Sequence, residues 1–362
     1  MEIRKLNTLR GVAALIVVVS HYSNHSNLWH KTLGFGAGQL GVMLFFLLSG
    51  FLMSYLYLGK TFNSREVYYY AVARFARVAP LFLLVVLCSY LLQKLQITGI
   101  LYNIPDKESL FSHITLLSGT SVLWTIPAEV QFYLIFIFLW WFWWKHRTHL
   151  YILITLLMVI LVFSGFPRFE GSLSGIPYDI ALIPSLPYFI MGLVFGQLYD
   201  KWNVPDNLSN RVFVVSFFLI FLLYPNMFHA ITGYYHGMWE DSRMLFAVSL
   251  FFFMIIFLTP DDDPLIANRI GDFLGKISYS LYLFHFPVLY QIKHLAIKSP
   301  ELFLPVFLCL SILISYISHL VIENPSRLFI KKIASRNRTQ PDNKKHRSFF
   351  TRAFPPMIRD TK

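Results

Sequence analysis

Charge is what this chain has least of. Only 14% of its 362 residues are Asp, Glu, Lys or Arg, while 56% are hydrophobic. Soluble domains carry roughly 25% charged residues, so this composition excludes a soluble globular chain and leaves a polytopic membrane protein. Cysteine is as scarce: Cys88 and Cys309 are the two, each inside an apolar run. That excludes a disulfide framework and a cysteine metal cluster, and predicts two buried small side chains. There is no Gly-x-Ser-x-Gly elbow, no Walker loop and no HExxH helix, which removes the usual serine-hydrolase, P-loop and zincin chemistries; no metal is expected. Acids are outnumbered 19 to 31 by Lys and Arg, for a net charge of +12. Much of that excess lies in 331–354, directly after an apolar segment. A juxtamembrane basic tail follows the positive-inside rule and touches anionic lipid, so membrane lipids are the expected partner and nucleic acid is not.

What the chain does have is apolar runs. A span needs about 20 such residues, and ten candidates lie near 8–24, 37–58, 76–95, 124–144, 149–164, 180–199, 209–227, 243–259, 272–292 and 302–323. The expected fold is therefore all-α: a polytopic integral membrane bundle of about ten transmembrane helices over 1–330, with 331–362 a basic, disordered cytoplasmic tail. Arg4, Lys5 and Arg10 precede the first run without a small-residue cleavage site, which predicts a retained helix. Lys60, Arg65, Arg74, Lys145, Arg147 and the tail mark one side as cytoplasmic, and both termini with it. The acidic stretch 260–264 falls on that side too and dissents.

Against this background, polar residues at helix depth stand out. Arg10 and His21 are eleven residues apart, close to three turns, which puts them on one face about 16 Å apart. They cannot touch, but one long ligand could reach both. Arg10 reads equally as a snorkelling anchor; His21 is harder to dismiss, because intramembrane ionisable groups line cavities or pathways. Glu129 and Gln131, after Trp124, open the fourth span, and Ser278, Tyr279, Ser280 and His285 sit in the ninth. His285 comes to a depth similar to that of His21. Arg74 and Arg77, three apart, share a face; two guanidiniums there suit phosphate, or serve as topological anchors. His236 and Asp241 have an H-x4-D spacing but fall in an expected outside loop. A transporter or flippase would also bury His, Glu and Arg, yet no inverted repeat or matched pair of glycine-broken segments is visible.

In this order, "LNTLRGVAALIVVVSHY", "GVMLFFLLSGFLMS", "RFARVAPLFLL", "LWTIPAEVQFYLIF", "LPYFIMGLVFG" and "SYSLYLFHFPVL" resemble the acyltransferase-3 family of membrane O-acyltransferases. The likeness runs from about residue 4 to residue 330. Asn7, Met43 and Val130 depart from residues common in the family, and no counterpart of the soluble esterase-like domain of some members is expected. The resemblance implies a bacterial inner-membrane enzyme that acylates a hydroxyl of a surface or lipid-linked glycan from cytoplasmic acyl-CoA, commonly acetyl-CoA. It implies that His21 is the catalytic base or acyl carrier, with Glu129 and His285 orienting it or the acceptor. Arg10, Arg74 and Arg77 would hold the donor's phosphates, with its pantetheine arm along Gly11, Ala13, Ala14 and Val17. Trp124, Gln131 and Tyr133 would line the acceptor side.

Overall fold

The computed structural model describes residues 3–34, 36–97, 99–146, 182–199, 209–236, 241–293 and 299–336. Among them every regular element is helical. In chain order these are α1 (Arg4–Ser26), α2 (His30–Leu33), α3 (Gly38–Met53), α4 (Ser64–Lys94), α5 (Lys107–Ile114), α6 (Thr125–Lys145) and α7 (Leu182–Tyr199). Then follow α8 (Ser209–Leu222), α9 (Pro225–Thr232), α10 (Ser242–Leu258), α11 (Arg269–Lys293), α12 (Pro300–Ser318) and α13 (Asn324–Arg336). Short polar residues start several of them, as an N-cap should. Asn63 accepts from the Glu66 amide at 2.9 Å, Asp106 from Ser109 at 2.7 Å and Asp241 from Arg243 at 2.9 Å. Wide π-turns close α3, at Ser54–Leu58, and join α12 to α13, at His319–Glu323.

Four stretches are long and apolar enough to cross a membrane: His30–Leu58, Ser64–Lys94, Ser121–Lys145 and Pro300–Ser335. The remaining expected spans differ for physical reasons. α1 and α11 have the length but carry Arg4, Lys5 and Arg10, and Asp272 and Lys276. Ser185–Tyr199 and Arg243–Leu258 are apolar but short. The expected span at 149–164 lies outside the described residues. α13 continues to Arg336, so the helix runs past the boundary expected at residue 330. Cys88 is half-buried and Cys309 exposed, a departure from the two buried thiols expected; Cys309 shares an outward face with Val306, Leu310 and Leu313.

The most extensive helix pair is α1 with α11. Between membrane helices, small residues let backbones approach, and packing then supplies the attraction that the hydrophobic effect does not. Here Gly275 lies against the backbone of Asn7, and Gly11 against Leu274. On α7, Gly192 and Gly196 meet the backbone of Leu47 and Phe51 on α3 in the same way. Polar ties fix the register of α1 against α11 at one end. Arg4 pairs with Asp272 at 2.8 Å, and Lys5, 1% exposed, reaches Asp261 and the Thr259 carbonyl, each at 2.7 Å. The acidic stretch that dissents from the charge rule is thus partnered by the basic N-terminal turn.

A side chain at position 275 would have to displace Asn7. Gly275→Val is expected to destabilise detergent-purified protein by about 1–3 kcal/mol, seen as a lower unfolding midpoint. Gly59→Ala, where nothing lies within 4 Å, should leave the midpoint unchanged.

Candidate active site

Five helices, α1, α3, α4, α6 and α11, converge on a narrow cavity of about 60 Å³. α1 contributes Arg10, α4 contributes Arg74 and Arg77, and α11 contributes Ser278; Glu129 of α6 also lines it. The Arg10 Nη2 donates to Ser278 Oγ at 3.4 Å, and that hydroxyl donates to the Gly275 carbonyl at 2.9 Å. Arg74 is held among the rings of Tyr57, Tyr70 and Tyr133, at 5.6, 6.0 and 5.8 Å from its guanidinium carbon. Cation–π contacts of this kind position a cation without neutralising it. Its Nε is buried and finds no acceptor among the described residues, and a buried donor without an acceptor costs about 1–3 kcal/mol. Glu129 does not fill that role among the described groups: it accepts from Ser49 Oγ at 2.7 Å and from the Tyr133 hydroxyl at 2.5 Å. The cavity is therefore cationic, with a donor left over.

The two intramembrane histidines meet. His21 Nδ1 lies 2.8 Å from His285 Nε2, and the rings meet edge to edge, centroids 5.1 Å apart with 21° between their planes. His285 is fully buried, and its Nδ1 is 3.1 Å from the Leu281 carbonyl one turn back. This contact sets the tautomers. A carbonyl only accepts, so His285 Nδ1 carries the proton. With both rings neutral, His285 Nε2 must then accept, so His21 Nδ1 donates and the lone pair is left on His21 Nε2. Such orientation of one imidazole by a second group is the arrangement a general base needs. Phe286 packs its edge against His21 at 5.7 Å and holds the ring's other side.

His21 borders two cavities. One, of about 300 Å³, is lined by Asn24, Gln39, Val42, Trp124 and Tyr282 as well. The other, about 250 Å³, is lined with Asn24, His25, Phe286, Leu289 and Tyr290. Val42 and Tyr282 line both the cationic cavity and the larger histidine cavity, so these two side chains form the partition between them. Tyr282 is held there by donating to the Val122 carbonyl at 2.9 Å and by an edge contact with Phe45 at 6.0 Å.

The structure thus brings together Arg10, Arg74 and Arg77 as one group, and His21, His285 and Trp124 as another. Glu129 sits with the arginines and lines neither histidine cavity. Gln131 donates to the Leu116 carbonyl at 3.1 Å and lines none of these cavities. Tyr133 instead lines an apolar groove of about 280 Å³ between α4 and α6. Gly11, Ala13 and Ala14 do not line the cationic cavity, since they are spent on contact with α3 and α11. Of the H-x4-D pair, Asp241 is the cap of α10, and His236 packs against Phe228 at 4.7 Å. Tyr282 and Ser49 were missed. Tyr282 stands three residues before His285, on the same helix face, which is the signal that could have found it.

A membrane-embedded helical bundle with a cationic cavity beside a buried imidazole pair is the frame of a group-transfer enzyme. The family model described as an acyltransferase domain, Acyl_transf_3, matches residues 3–320; the chain belongs to that family and is an acyltransferase. It is similar to the O-acetyl transferase of Shigella phage Sf6, 25% identical over 340 residues that cover 87% of this chain and 92% of the phage protein. It is also similar to O-acetyltransferase OatA of Staphylococcus aureus strain NCTC 8325 / PS 47, 22% identical over 356 residues, 89% of this chain and 57% of OatA. No solved structure matches the chain.

Were His21 the general base and His285 the group that orients it, loss of the first would abolish turnover and loss of the second would weaken it. His21→Ala and His21→Gln are expected to lose acyl transfer while still accumulating in the membrane. His285→Ala is expected to lower kcat by about 10²-fold with little change in KM, general-base effects being typically 10²–10⁴. Near wild-type turnover by His21→Ala, measured as acyl groups transferred per protein, would contradict the assignment.

Proposed function

We propose that this enzyme is an O-acetyltransferase that moves an acetyl group from cytoplasmic acetyl-CoA to a hydroxyl of a lipid-linked or surface glycan, such as an O-antigen or exopolysaccharide. The observation that carries the reading is the partition: a cationic cavity and an imidazole cavity meet at Val42 and Tyr282. An acyl-CoA is an anion at one end and a thioester at the other, and one donor spanning Tyr282 would put each end in matching surroundings. Arg74, with its unmatched Nε, and Arg77 and Arg10 bind the phosphates; guanidinium forks suit phosphate better than ammonium does. Glu129, fixed by Ser49 and Tyr133, keeps the arginines' cavity from being purely cationic. Trp124 lies in the histidine cavity, as a residue facing the acceptor would. The names of the phage and staphylococcal relatives favour acetyl as the group transferred.

In the reaction, His21 Nε2 takes the proton from the acceptor hydroxyl as its oxygen attacks the thioester carbonyl. The C–O bond forms, the C–S bond breaks, and the departing thiolate receives that proton from the imidazolium. His285 accepts the His21 Nδ1–H throughout and keeps the ring from turning. If the same lone pair attacks first, the acetyl group rests on His21 before it passes to the hydroxyl; intact-protein mass spectrometry of donor-loaded enzyme without acceptor, looking for an added acetyl group, distinguishes the two routes. On this reading the protein sits in the bacterial inner membrane with about ten spans and both termini cytoplasmic, and the acetyl group crosses within the protein while CoA stays inside.

Arg74→Ala and Arg77→Ala should each raise the KM for acetyl-CoA about tenfold or more with a smaller effect on kcat, and lysine should rescue only in part. Unchanged KM with lowered abundance would make them topological anchors. In cells, NMR of the surface polysaccharide should show an O-acetyl signal that depends on the gene and disappears on mild base. In tight proteoliposomes, acetyl transfer should reach an acceptor on the face opposite to acetyl-CoA.

A further inference from the structure

Beyond the cationic cavity, α13 carries four more cations, of which Arg327 and Lys331 stand one turn apart. α13 packs along α4, with Ala334 buried at the contact and Arg327 half-buried on the same face. Arg327 is steadied by donating from Nη2 to Asn324 Oδ1 at 2.9 Å. One turn later comes Lys331, on the helix that packs against α4, which carries Arg74 and Arg77. Like charges at i,i+4 are destabilising in a helix, and here Arg327 and Lys331 are carried on a helix packed against the one that carries Arg74 and Arg77. Among the described residues none of these four side chains forms an ion pair. The two acids close to the group are already engaged: Glu129 with Ser49 and Tyr133, and Glu323 with Ser280 at 2.7 Å. A bound polyanion would relieve the repulsion.

Position says where that anion lies. The cationic cavity is lined by Arg10, Arg74 and Arg77, the cations carried by the bundle itself. Arg327 and Lys331 are outside the cavity and open to solvent in increasing degree, Lys331 being exposed. They also lie beyond the family match, which ends at residue 320. Three half-buried guanidiniums, Arg74, Arg77 and Arg327, are thus followed by one exposed ammonium, Lys331, an arrangement that suits a ligand with separated phosphate groups.

We propose that Arg327 and Lys331 form a second phosphate subsite, on α13, that takes the phosphate monoester on the ribose of the donor, while Arg10, Arg74 and Arg77 take its diphosphate. This rests on the acyl-CoA reading above. A monoester carries about −1.5 to −2 charges at pH 7, the natural partner of two cations. The phosphodiester of an anionic lipid headgroup has related chemistry, and the experiment separates the two sources.

Steady-state transfer is measured for the full-length protein in nanodiscs of zwitterionic lipid alone, and again with anionic lipid added, using acetyl-CoA and acetyl-3′-dephospho-CoA as donors. Wild type should show a KM about tenfold lower for acetyl-CoA, with equal kcat. Arg327→Gln with Lys331→Gln should raise the KM for acetyl-CoA about tenfold, leave that for the dephospho donor within twofold, and act alike in both lipids. Arg327→Lys with Lys331→Arg should keep the discrimination, and added salt should shrink it. Equal KM increases for both donors, or an effect confined to anionic nanodiscs, would overturn the subsite. The latter would make the pair a headgroup site. Wild-type transfer from both donors with equal KM would overturn the subsite while leaving the acyl-CoA reading intact. Transfer from neither would sink that reading and this one together.

Discussion

The close approach of α1 and α11 is the constraint on which the rest depends. Where Gly11 and Gly275 remove side chains from the contact, the two backbones come near enough for His21 to reach His285 at 2.8 Å and for Arg10 to reach Ser278 at 3.4 Å. These two contacts lie at opposite ends of one interface, so a single packing geometry sets both the cation's place and the imidazole's tautomer. In lipid there is no hydrophobic effect to force helices together, and the polar ties Arg4–Asp272 and Lys5–Asp261 supply register that apolar packing would leave loose. The catalytic geometry is in this sense a by-product of how the bundle is stapled.

The second constraint is separation. Binding an anion and running general-base chemistry make opposite demands, since fixed positive charge beside an imidazole opposes its protonation. Tyr282 and Val42 stand between the arginines and the histidines, and the Tyr282 hydroxyl is tied back to Val122, which keeps its ring across the gap. A long, thin ligand suits such a divided site, because each compartment meets only the end that belongs in it.

Much of this was legible in the sequence, and the failures are instructive. The spacing of Arg10 and His21, the shared face of Arg74 and Arg77 and the similar depth of His21 and His285 follow from helix geometry alone, and the structure groups these residues accordingly. Glu129 was expected on the acceptor side because span boundaries inferred from hydropathy are loose by a turn, and a turn is enough to move a carboxylate from one compartment to the other. Gly11, Ala13 and Ala14 were read as a smooth wall for a ligand; in a membrane bundle small residues mark where helices touch, and that is where they are. α13 was hidden because its basic composition resembles a solvated tail, whereas its half-apolar face is what packs on α4.

The partners of α1 come late in the chain. His21 and His285 are separated by 264 positions, and Lys5 waits for Thr259 in the same way. At about 5–20 residues per second of synthesis, α1 spends roughly 13 to 50 s at the membrane before its mate emerges. Throughout that interval Lys5, Arg10 and His21 lack the partners they have in the finished fold. The α1–α11 seam can close only once α11 has been made, whereas the packing of α1 on α3 is available from the start.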